Sequence, residues 1–168
     1  TNGHGSYEII NGGSIYNNKG ANGGAIAILD NSATFTMNGG KIYNNTAKGT
    51  KKAVGLGGGI YIKANNRGKT INISDEVVIK DNNSAIGGGL YIDSYSTVKE
   101  EIVATVNAAI YNNNASEYAD DIYTSGNGEL GIKLNLGKTS SWNMPCKDTV
   151  DGWYLDGENN RWNAHGTT

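Results

Sequence analysis

The chain has 168 residues, a formal net charge of −2 and a sequence pI of about 5.6. Its 14 Lys and Arg residues are scattered, which argues against a nucleic-acid-binding domain, and no apolar run approaches the roughly 18 residues of a membrane-spanning helix. The chain has 25 Gly, about twice the typical content of about 7%, and only 1 Pro, where about 5% is typical. This composition predicts many short strands joined by tight turns.

A degenerate repeat with a period of about thirty residues runs along most of the chain. Its first arm is an apolar strand that leads into Asn, found at Gly12–Asn18, Gly39–Asn45, Val77–Asn83 and Ala108–Asn114. Its second arm usually begins with glycines, found at Gly23–Leu29, Gly57–Lys63, Gly87–Asp93 and Ala119–Ser125. A weaker third arm follows, found at Ala33–Met37, Thr70–Ile73, Ile102–Val106 and Leu130–Leu136, with Tyr7–Ile10 as an earlier example. Each arm alternates apolar and polar residues, as a half-buried strand does.

Three strands per turn over about four turns predict an all-β, three-sided parallel β-helix that spans residues 1–137. Each arm is expected to stack on its copy in the next turn, roughly 4.8 Å away. Stacking would bury a continuous column of Ile, Leu, Val and Met that no single turn could bury by itself.

Two insertions and one recurrent corner interrupt this regular pattern. The insertions fall at Thr46–Leu56 and Ser94–Glu101, and insertions into solenoids project sideways as candidate binding loops. The corner carries paired residues after the first arm, at Asn17/Asn18, Asn44/Asn45, Asp81/Asn82 and Asn112/Asn113. Because Asn tolerates the left-handed conformation and stacked Asn side chains hydrogen-bond to each other, the corner predicts a structural Asn ladder.

The repeat stops after Gly137, and residues 138–168 have a different composition that includes all three Trp. DGWYLDGENNRW at Asp151–Trp162 reads as two aromatic strands around a turn. We interpret this segment as a C-terminal cap, since an uncovered last strand would template aggregation. The chain starts without Met or a signal peptide and is inside a repeat by Tyr7, which suggests a processed piece of a longer protein.

The arms resemble right-handed parallel β-helix surface proteins of the pectate-lyase-like superfamily. GGAI at Gly23–Ile26 and FTMN at Phe35–Asn38 are similar to motifs of polymorphic outer-membrane autotransporters. MNGGKIYNN at Met37–Asn45, followed by GGGIYI, more closely resembles repeat regions of large Gram-positive cell-surface adhesins. This resemblance implies right-handed coiling, secretion and attachment to the bacterial cell surface through regions outside this chain.

Because many β-helix proteins cleave acidic polysaccharides, a lyase or hydrolase is the alternative function. A pectate lyase needs a basic residue beside acidic Ca²⁺ ligands, but Arg67 and Arg161 lie outside the strands of the first arm. A hydrolase needs paired carboxylates about 5–9.5 Å apart across its substrate. Asp120 and Asp121 are adjacent, so on a strand they point to opposite faces.

Metal, cofactor and thiol chemistry have weak support in the sequence. Asp151, Asp156 and Glu158 are weak candidates for a structural Ca²⁺ site, since Ca²⁺ prefers oxygen ligands, but their spacing does not match an EF-hand loop. Cys146 is the only cysteine, so there is no disulfide framework, and we interpret it as an inert thiol. No other cofactor is expected.

Aromatic residues give the stronger signal for binding. Tyr61, Tyr91 and Tyr123 follow the central apolar residue of the second arm, so they are expected to point outward and to stack. The first arm has a second outward set at Tyr16, Tyr43 and Tyr111. Stacked rings serve either as cross-turn packing or as a contact surface for sugars or proteins. The insertions add four further candidate contact residues, namely Lys48, Lys51, Lys52 and Tyr95.

Together these features predict a non-catalytic β-helix module of a secreted bacterial adhesin. It would act as a stalk or as a binding platform for a host glycan or an extracellular protein. Its expected location is the outside of the cell, without membrane insertion and without a nucleic-acid partner.

Overall fold

A computed structural model of the chain describes residues 7–29, 34–63, 70–93 and 102–125, and the strands at 132–136, 140–144 and 148–150. Every regular element in these residues is a β-strand, so the fold is all-β as predicted. Within the same residues there is no helix long and apolar enough to cross a membrane.

The strands follow a four-member order that recurs along the chain. The first unit contains β1 (Tyr7–Ile10), β2 (Ser14–Tyr16), β3 (Lys19–Gly20) and β4 (Ile26–Ile28). The second contains β5 (Thr34–Met37), β6 (Gly40–Tyr43), β7 (Thr46–Ala47) and β8 (Ile60–Lys63). The third contains β9 (Thr70–Ile73), β10 (Val77–Lys80), β11 (Asn83–Ile86) and β12 (Leu90–Asp93). The fourth contains β13 (Ile102–Val106), β14 (Ala109–Tyr111), β15 (Asn114–Tyr118) and β16 (Ile122–Ser125), and β17 (Ile132–Leu136), β18 (Ser140–Met144) and β19 (Asp148–Val150) follow it.

Corresponding strands of successive units pair in parallel and form four stacked sheets. Sheet A has the order β1-β5-β9-β13-β17, sheet B the order β2-β6-β10-β14, sheet C the order β3-β7-β11-β15, and sheet D the order β4-β8-β12-β16. The first arm of the repeat forms sheet B, the second forms sheet D and the third forms sheet A. This arrangement is compatible with a parallel β-helix or solenoid.

The prediction of three strands per turn is wrong, because sheet C adds a fourth strand to each unit. Its strands are as short as two residues, and they lie between the Asn corner and the glycine turn. Backbone bonds join them in the usual parallel way, for example from Thr46 N to Asn18 O at 2.9 Å and from Asn83 N to Asn45 O at 2.8 Å. Such short polar strands lack the alternation by which the other three were recognised.

In-register pairing places like residues over like residues in the core. In sheet B, Ile15, Ile42, Ile79 and Ile110 form one column. The buried apolar cluster is formed by such columns from sheets A, B and D, and its fully buried large members are Phe35, Met37, Ile42, Ile60, Ile62, Ile71, Ile73, Ile79, Leu90, Ile92, Ile110 and Ile122. The predicted continuous apolar column is therefore confirmed for the described residues.

Glycine fits the turns into sheet D of the second and third units, whereas Ala119 takes the same turn with a φ of 63° in the fourth. A Cβ atom on Gly88 would come within 2.4 Å of Asp120 O and 2.8 Å of Asn114 N, both backbone atoms of the next unit. Gly57 adopts a φ of 65°, in the left-handed region that glycine tolerates at low cost. The glycines that begin the second arm thus permit the close approach between units.

The direction of pairing changes after β17. β18 pairs antiparallel with β17 at the edge of sheet A, and β19 pairs antiparallel with β16 at the edge of sheet D. These strands lie within the segment interpreted as a cap. The aromatic hairpin predicted at Asp151–Trp162 lies outside the described residues.

Shortening a side chain of the central column should destabilise the fold. Ile79 is fully buried between Ile42 and Ile110, so Ile79→Ala should lower the free energy of unfolding by about 2–5 kcal/mol. Val78→Ala in the same strand removes a half-buried, outward-facing side chain and should cost much less. Urea unfolding would measure the stability of both variants. Equal losses of unfolding free energy would contradict the placement of Ile79 in the core.

Candidate functional site

The three tyrosines of the second arm lie over one another on sheet D and form a tyrosine ladder. Tyr61 pairs with Tyr91 and Tyr91 with Tyr123, with ring centroids 5.6 and 5.0 Å apart. The predicted stacking is confirmed. The predicted exposure is wrong, because each side chain has only 6–7% of its surface accessible.

A second apolar cluster covers the tyrosine ladder on the side away from the main core. Ile86 and Ala119 are buried in this cluster, and Leu56 packs against it. Leu56 and Ile86 immediately precede turns into sheet D, Ala119 lies in such a turn, and Gly57 N donates to Ile86 O at 3.0 Å. The chain thus forms a narrow outer layer before it turns inward. Sequence alternation identified the outward direction of the rings but gave no sign of this layer.

The phenol group of Tyr61 is hydrogen-bonded to Asp93, which lies at the C-terminal end of β12 in sheet D. Tyr61 Oη donates to Asp93 Oδ2 at 2.9 Å, and Ser125 Oγ donates to Asp93 Oδ1 at 2.9 Å. Burial, together with the Asp93 carboxylate, raises the pKa of Tyr61. Burial also raises the pKa of Tyr91 and of Tyr123. These rings are therefore neutral packing groups at physiological pH.

The outward face of sheet B carries the aromatic groups that do reach solvent. Tyr16, Tyr43, Lys80 and Tyr111 occupy one register position on the four strands, and we call this row the outer strip. Tyr16 is 50% exposed, and the other three are half-buried. The first-arm tyrosines thus have the exposure that was expected of the second-arm tyrosines.

The rings of the outer strip are held in a defined geometry. Tyr16 and Tyr43 stack with centroids 5.0 Å apart and planes 6° apart, which requires an offset because ring planes in contact lie only about 3.5 Å apart. Lys80 Nζ lies 5.9 Å from the centroid of Tyr111 and 3.0 Å from Asp81 Oδ2. The hydrogen bond with Asp81 raises the pKa of Lys80, so its ammonium group stays charged at neutral pH. The strip therefore presents ring edges, parts of ring faces and one cation.

The first insertion forms an exposed loop beside sheet C. Lys48, Lys51 and Lys52 are all exposed there, as predicted for a solvated loop. Thr50 N donates to Ala53 O at 2.7 Å and gives the loop a tight turn. The three lysines share this loop, whereas the outer strip belongs to sheet B.

The corner asparagines form an Asn ladder that consists of Asn18, Asn45, Asn82 and Asn113, of which Asn18 is exposed and the other three are buried. Each Nδ2 donates to the Oδ1 of the next member, at 3.1, 3.0 and 2.9 Å. The backbone N–H of each of the first three members donates to the same oxygen, at 3.0–3.1 Å. The residues just before them, Asn17, Asn44, Asp81 and Asn112, have φ values of 53–57°. The prediction of a structural Asn ladder with left-handed corners is confirmed.

Asp121 ends the Asn ladder. Its Oδ1 accepts from Asn113 Nδ2 at 2.9 Å, and its side chain is fully buried. Gly59 and Gly89 occupy the equivalent position in earlier units, where an added Cβ would crowd a ladder amide at 3.2 and 2.9 Å. Sequence reasoning weighed Asp121 only as a catalytic carboxylate and missed this role. The replacement of Gly-Gly-Gly by Ala-Asp-Asp at 119–121 was the available signal.

Asp120, the other carboxylate considered for catalysis, also bonds within the fold, as does Asp93. Asp120 Oδ1 accepts from Ala115 N at 2.7 Å, and Asp93 accepts from Tyr61 and Ser125. Within the described ranges no group of three or more His, Cys, Asp or Glu residues could hold a metal ion.

Several predicted site residues lie outside the described part of the chain. They are Tyr95 of the second insertion, the metal candidates Asp151, Asp156 and Glu158, and Cys146. Their assignments remain predictions from the sequence.

Comparison with known proteins adds no relative. No protein-family model, curated protein or solved structure matches the chain.

Replacing one amide donor of the Asn ladder by an acceptor should destabilise the protein. In Asn82→Asp, an acceptor replaces the Nδ2 group that donates to Asn113 Oδ1 and Ile42 O. A buried carboxylate without a compensating positive charge would then face these two acceptors, so the free energy of unfolding should fall by about 3–5 kcal/mol at pH 7. Asn83→Asp makes the same change at an exposed position and should have little effect. A similar loss in both variants would contradict the ladder.

Stability should fall at alkaline pH because of the tyrosine ladder. The raised pKa of Tyr61 means that the unfolded chain, whose tyrosines titrate near pH 10, loses this proton first. The contribution is complete below about pH 10 and is lost as pH rises toward the folded pKa. Urea unfolding between pH 8.5 and 11 should show this decline, with a shallower slope for Tyr61→Phe. An unchanged slope in Tyr61→Phe would contradict the assignment.

Proposed function

We propose that the chain is a non-catalytic module of a bacterial cell-surface adhesin, built as a right-handed parallel β-helix of about four turns. It would act outside the cell as a stalk and binding platform for a host glycan or an extracellular protein. The four stacked parallel sheets and the similarity of the arms to adhesin repeats support this proposal.

The stalk part of the proposal rests on how the units stack. Each unit contacts mainly its neighbours, so further units extend the stack without a new kind of contact. The apolar core, the tyrosine ladder and the Asn ladder all run through successive units. Such continuous contacts suit a rigid spacer that holds a binding surface away from the cell.

The outer strip is the single observation that carries the platform part of the proposal. Tyr offers a large, amphipathic contact at low entropic cost, and Tyr16 and Tyr43 are further restrained by stacking. Their hydroxyl groups suit hydrogen bonds to a polar partner, and their ring edges suit apolar contact. Lys80 adds an ammonium group, paired with Asp81, that suits hydrogen bonds to a polar partner.

The outer strip replaces the tyrosine ladder as the favoured contact surface. Tyr61, Tyr91 and Tyr123 lie under the outer layer, so a ligand would have to displace Ile86 and Leu56 to reach them. The exposed lysine loop remains a second contact candidate, because it needs no rearrangement to meet a partner.

Removing two rings from the outer strip should weaken binding without unfolding the protein. A panel of immobilised host glycans and matrix proteins would be probed with the wild type and with a Tyr16→Ser/Tyr43→Ser variant. The variant should bind at least about tenfold more weakly, a loss of about 1.4 kcal/mol or more. Circular dichroism and urea unfolding would verify that the variant remains folded.

A matched loop variant separates the two candidate surfaces. Lys51→Gln/Lys52→Gln removes two exposed charges and should leave binding unchanged if the outer strip is the contact surface. Loss in the loop variant alone would move the site to the insertion. Absence of any binding would remove the platform part, and release of reducing ends or unsaturated products from acidic polysaccharides would favour the enzyme alternative.

A further inference from the structure

Charge is distributed unevenly along the chain. Residues 1–69 contain eight Lys and Arg but only two Asp and Glu, whereas residues 70–168 contain six Lys and Arg and fourteen Asp and Glu. In the described parts of the first two units, residues 7–29 and 34–63, Glu8 is the only acidic residue. The first two units are therefore positively charged, although the formal net charge of the whole chain is −2.

Two lysines of these units flank the stacked rings of the outer strip. Lys41 lies two residues before Tyr43 on β6, so both side chains point to the outward face of sheet B. Lys19 lies on β3, three residues after Tyr16 and just past the Asn corner. Both lysines are exposed, and neither forms an ion pair within the described residues. The charge of both ammonium groups is thus available to a ligand beside the rings.

The third unit differs in this respect. Its lysine on the outer strip, Lys80, is paired with Asp81 at 3.0 Å, so much of its charge is used within the fold. The carboxylate of Asp93 in the same unit accepts hydrogen bonds from Tyr61 and Ser125. Attraction for an acidic ligand is therefore strongest at the part of the outer strip that belongs to the first two units.

The stacking of Tyr16 and Tyr43 favours acidic side chains over a stacked sugar. Because the ring planes are 6° apart with centroids at 5.0 Å, the two facing ring surfaces largely cover each other. A sugar that stacks on an aromatic residue needs an open ring face, whereas these rings direct their edges and hydroxyl groups to solvent. The edge is the positive part of the ring quadrupole, so it attracts a carboxylate.

The spacing along β6 fits an extended polypeptide. Lys41 and Tyr43 are two residues apart on one face of the strand, which corresponds to roughly 6.6 Å. Side chains on one side of an extended peptide repeat at the same distance. A peptide that lies along β6 would therefore place one acidic side chain at the Lys41 ammonium group and the next at the Tyr43 ring edge, with Lys19 beyond the corner for a third.

We propose that the outer strip in the first two units is a docking surface for an extended acidic segment of another protein, with Lys41 and Lys19 as its cationic contacts. The inference rests on the proposed function, which places the contact on the outer strip, and it names the chemistry of the partner. A second copy of this chain fits less well. Its exposed Glu76 lies in the turn before β10 and its exposed Glu117 on β15, so the two carboxylates do not form one extended acidic row.

A labelled peptide of about ten residues that alternate Glu and Thr tests the inference when it is titrated into the full chain, with a Gln and Thr peptide as the neutral control. Fluorescence anisotropy should show saturable binding of the Glu peptide alone. Binding should weaken as salt is raised, because the Debye length falls from about 30 Å at 0.01 M to about 10 Å at 0.1 M. Binding of both peptides with equal affinity would overturn the role of the carboxylates.

A pair of lysine variants locates the contact. Lys19→Gln/Lys41→Gln should bind the Glu peptide about fivefold more weakly, since two exposed ion pairs are lost. Lys51→Gln/Lys52→Gln removes the same charge from the exposed loop and should bind like the wild type. Circular dichroism would verify that both variants are folded. An equal loss in both would show that only the overall charge matters and would overturn the assigned surface.

The remaining outcomes separate this inference from the proposed function. If the host panel is still bound through Tyr16 and Tyr43 but the Glu peptide is not bound, the inference falls and the proposed function stands. If neither is bound, both fall. Heparin and polygalacturonate would be titrated in parallel, and tighter binding of either that is lost in Lys19→Gln/Lys41→Gln would identify an acidic glycan and overturn the choice of a polypeptide. Self-association of the chain that is lost in the same variant would instead identify a second copy.

Discussion

The structure depends on one constraint: each strand pairs with its own copy in the next unit, in a register that shifts only between β11 and β15 among the described strands. Parallel pairing at the usual spacing sets every side chain directly over its counterpart, so a residue must be compatible with a copy of itself at about 4.8 Å. Ile stacks on Ile in the core, Tyr on Tyr on sheet D and Asn on Asn at the corner. Each of these self-pairings is favourable because it matches apolar surface, offset rings or alternating amide donors and acceptors.

The amide column differs from the apolar columns in one respect, because it has a direction. An Ile column is alike at both ends, but an amide chain begins with an unused acceptor and ends with an unused donor. A buried amide donor without a partner is costly, and the Asp121 carboxylate accepts from the last amide. The glycine found at this position in earlier units became dispensable at 121, because no further ladder residue had to be accommodated there. The two ends of the stack are therefore chemically distinct.

Much of this architecture follows from the sequence, and the failures have physical causes. The period, the three long arms, the inward residues such as Ile42 and the Asn ladder were predictable, since they depend on alternation and on like residues recurring. In sheet C, two-residue strands such as Thr46–Ala47 were missed because they are too short to show a period. The longer Asn83–Ile86 and Asn114–Tyr118 were missed because each begins with an Asn that was assigned to the first arm. The exposure of Tyr91 was misjudged because alternation tells which face a side chain points to, not whether another layer covers that face. The cover comes from Ile86, a residue at the edge of a turn.

The packing role of the recurring residues favours functional positions outside the most regular parts of the repeat. Residues that recur from unit to unit already serve the stacking, as Asn82 in the ladder of all four units and Tyr61 in the ladder of three units show. The chemically distinctive positions are those where a unit departs from the pattern: Lys80 interrupts a row of tyrosines, and the insertion with Lys51 and Lys52 interrupts the arms. A stacked fold tolerates a charge or an insertion on its outer surfaces and in its loops, because the apolar columns of the interior accept only uncharged replacements such as Phe35, Ile71 and Ala104. The outer strip of sheet B combines both features, since a recurring tyrosine row there reaches solvent and is interrupted by one lysine, whose ammonium group pairs with Asp81.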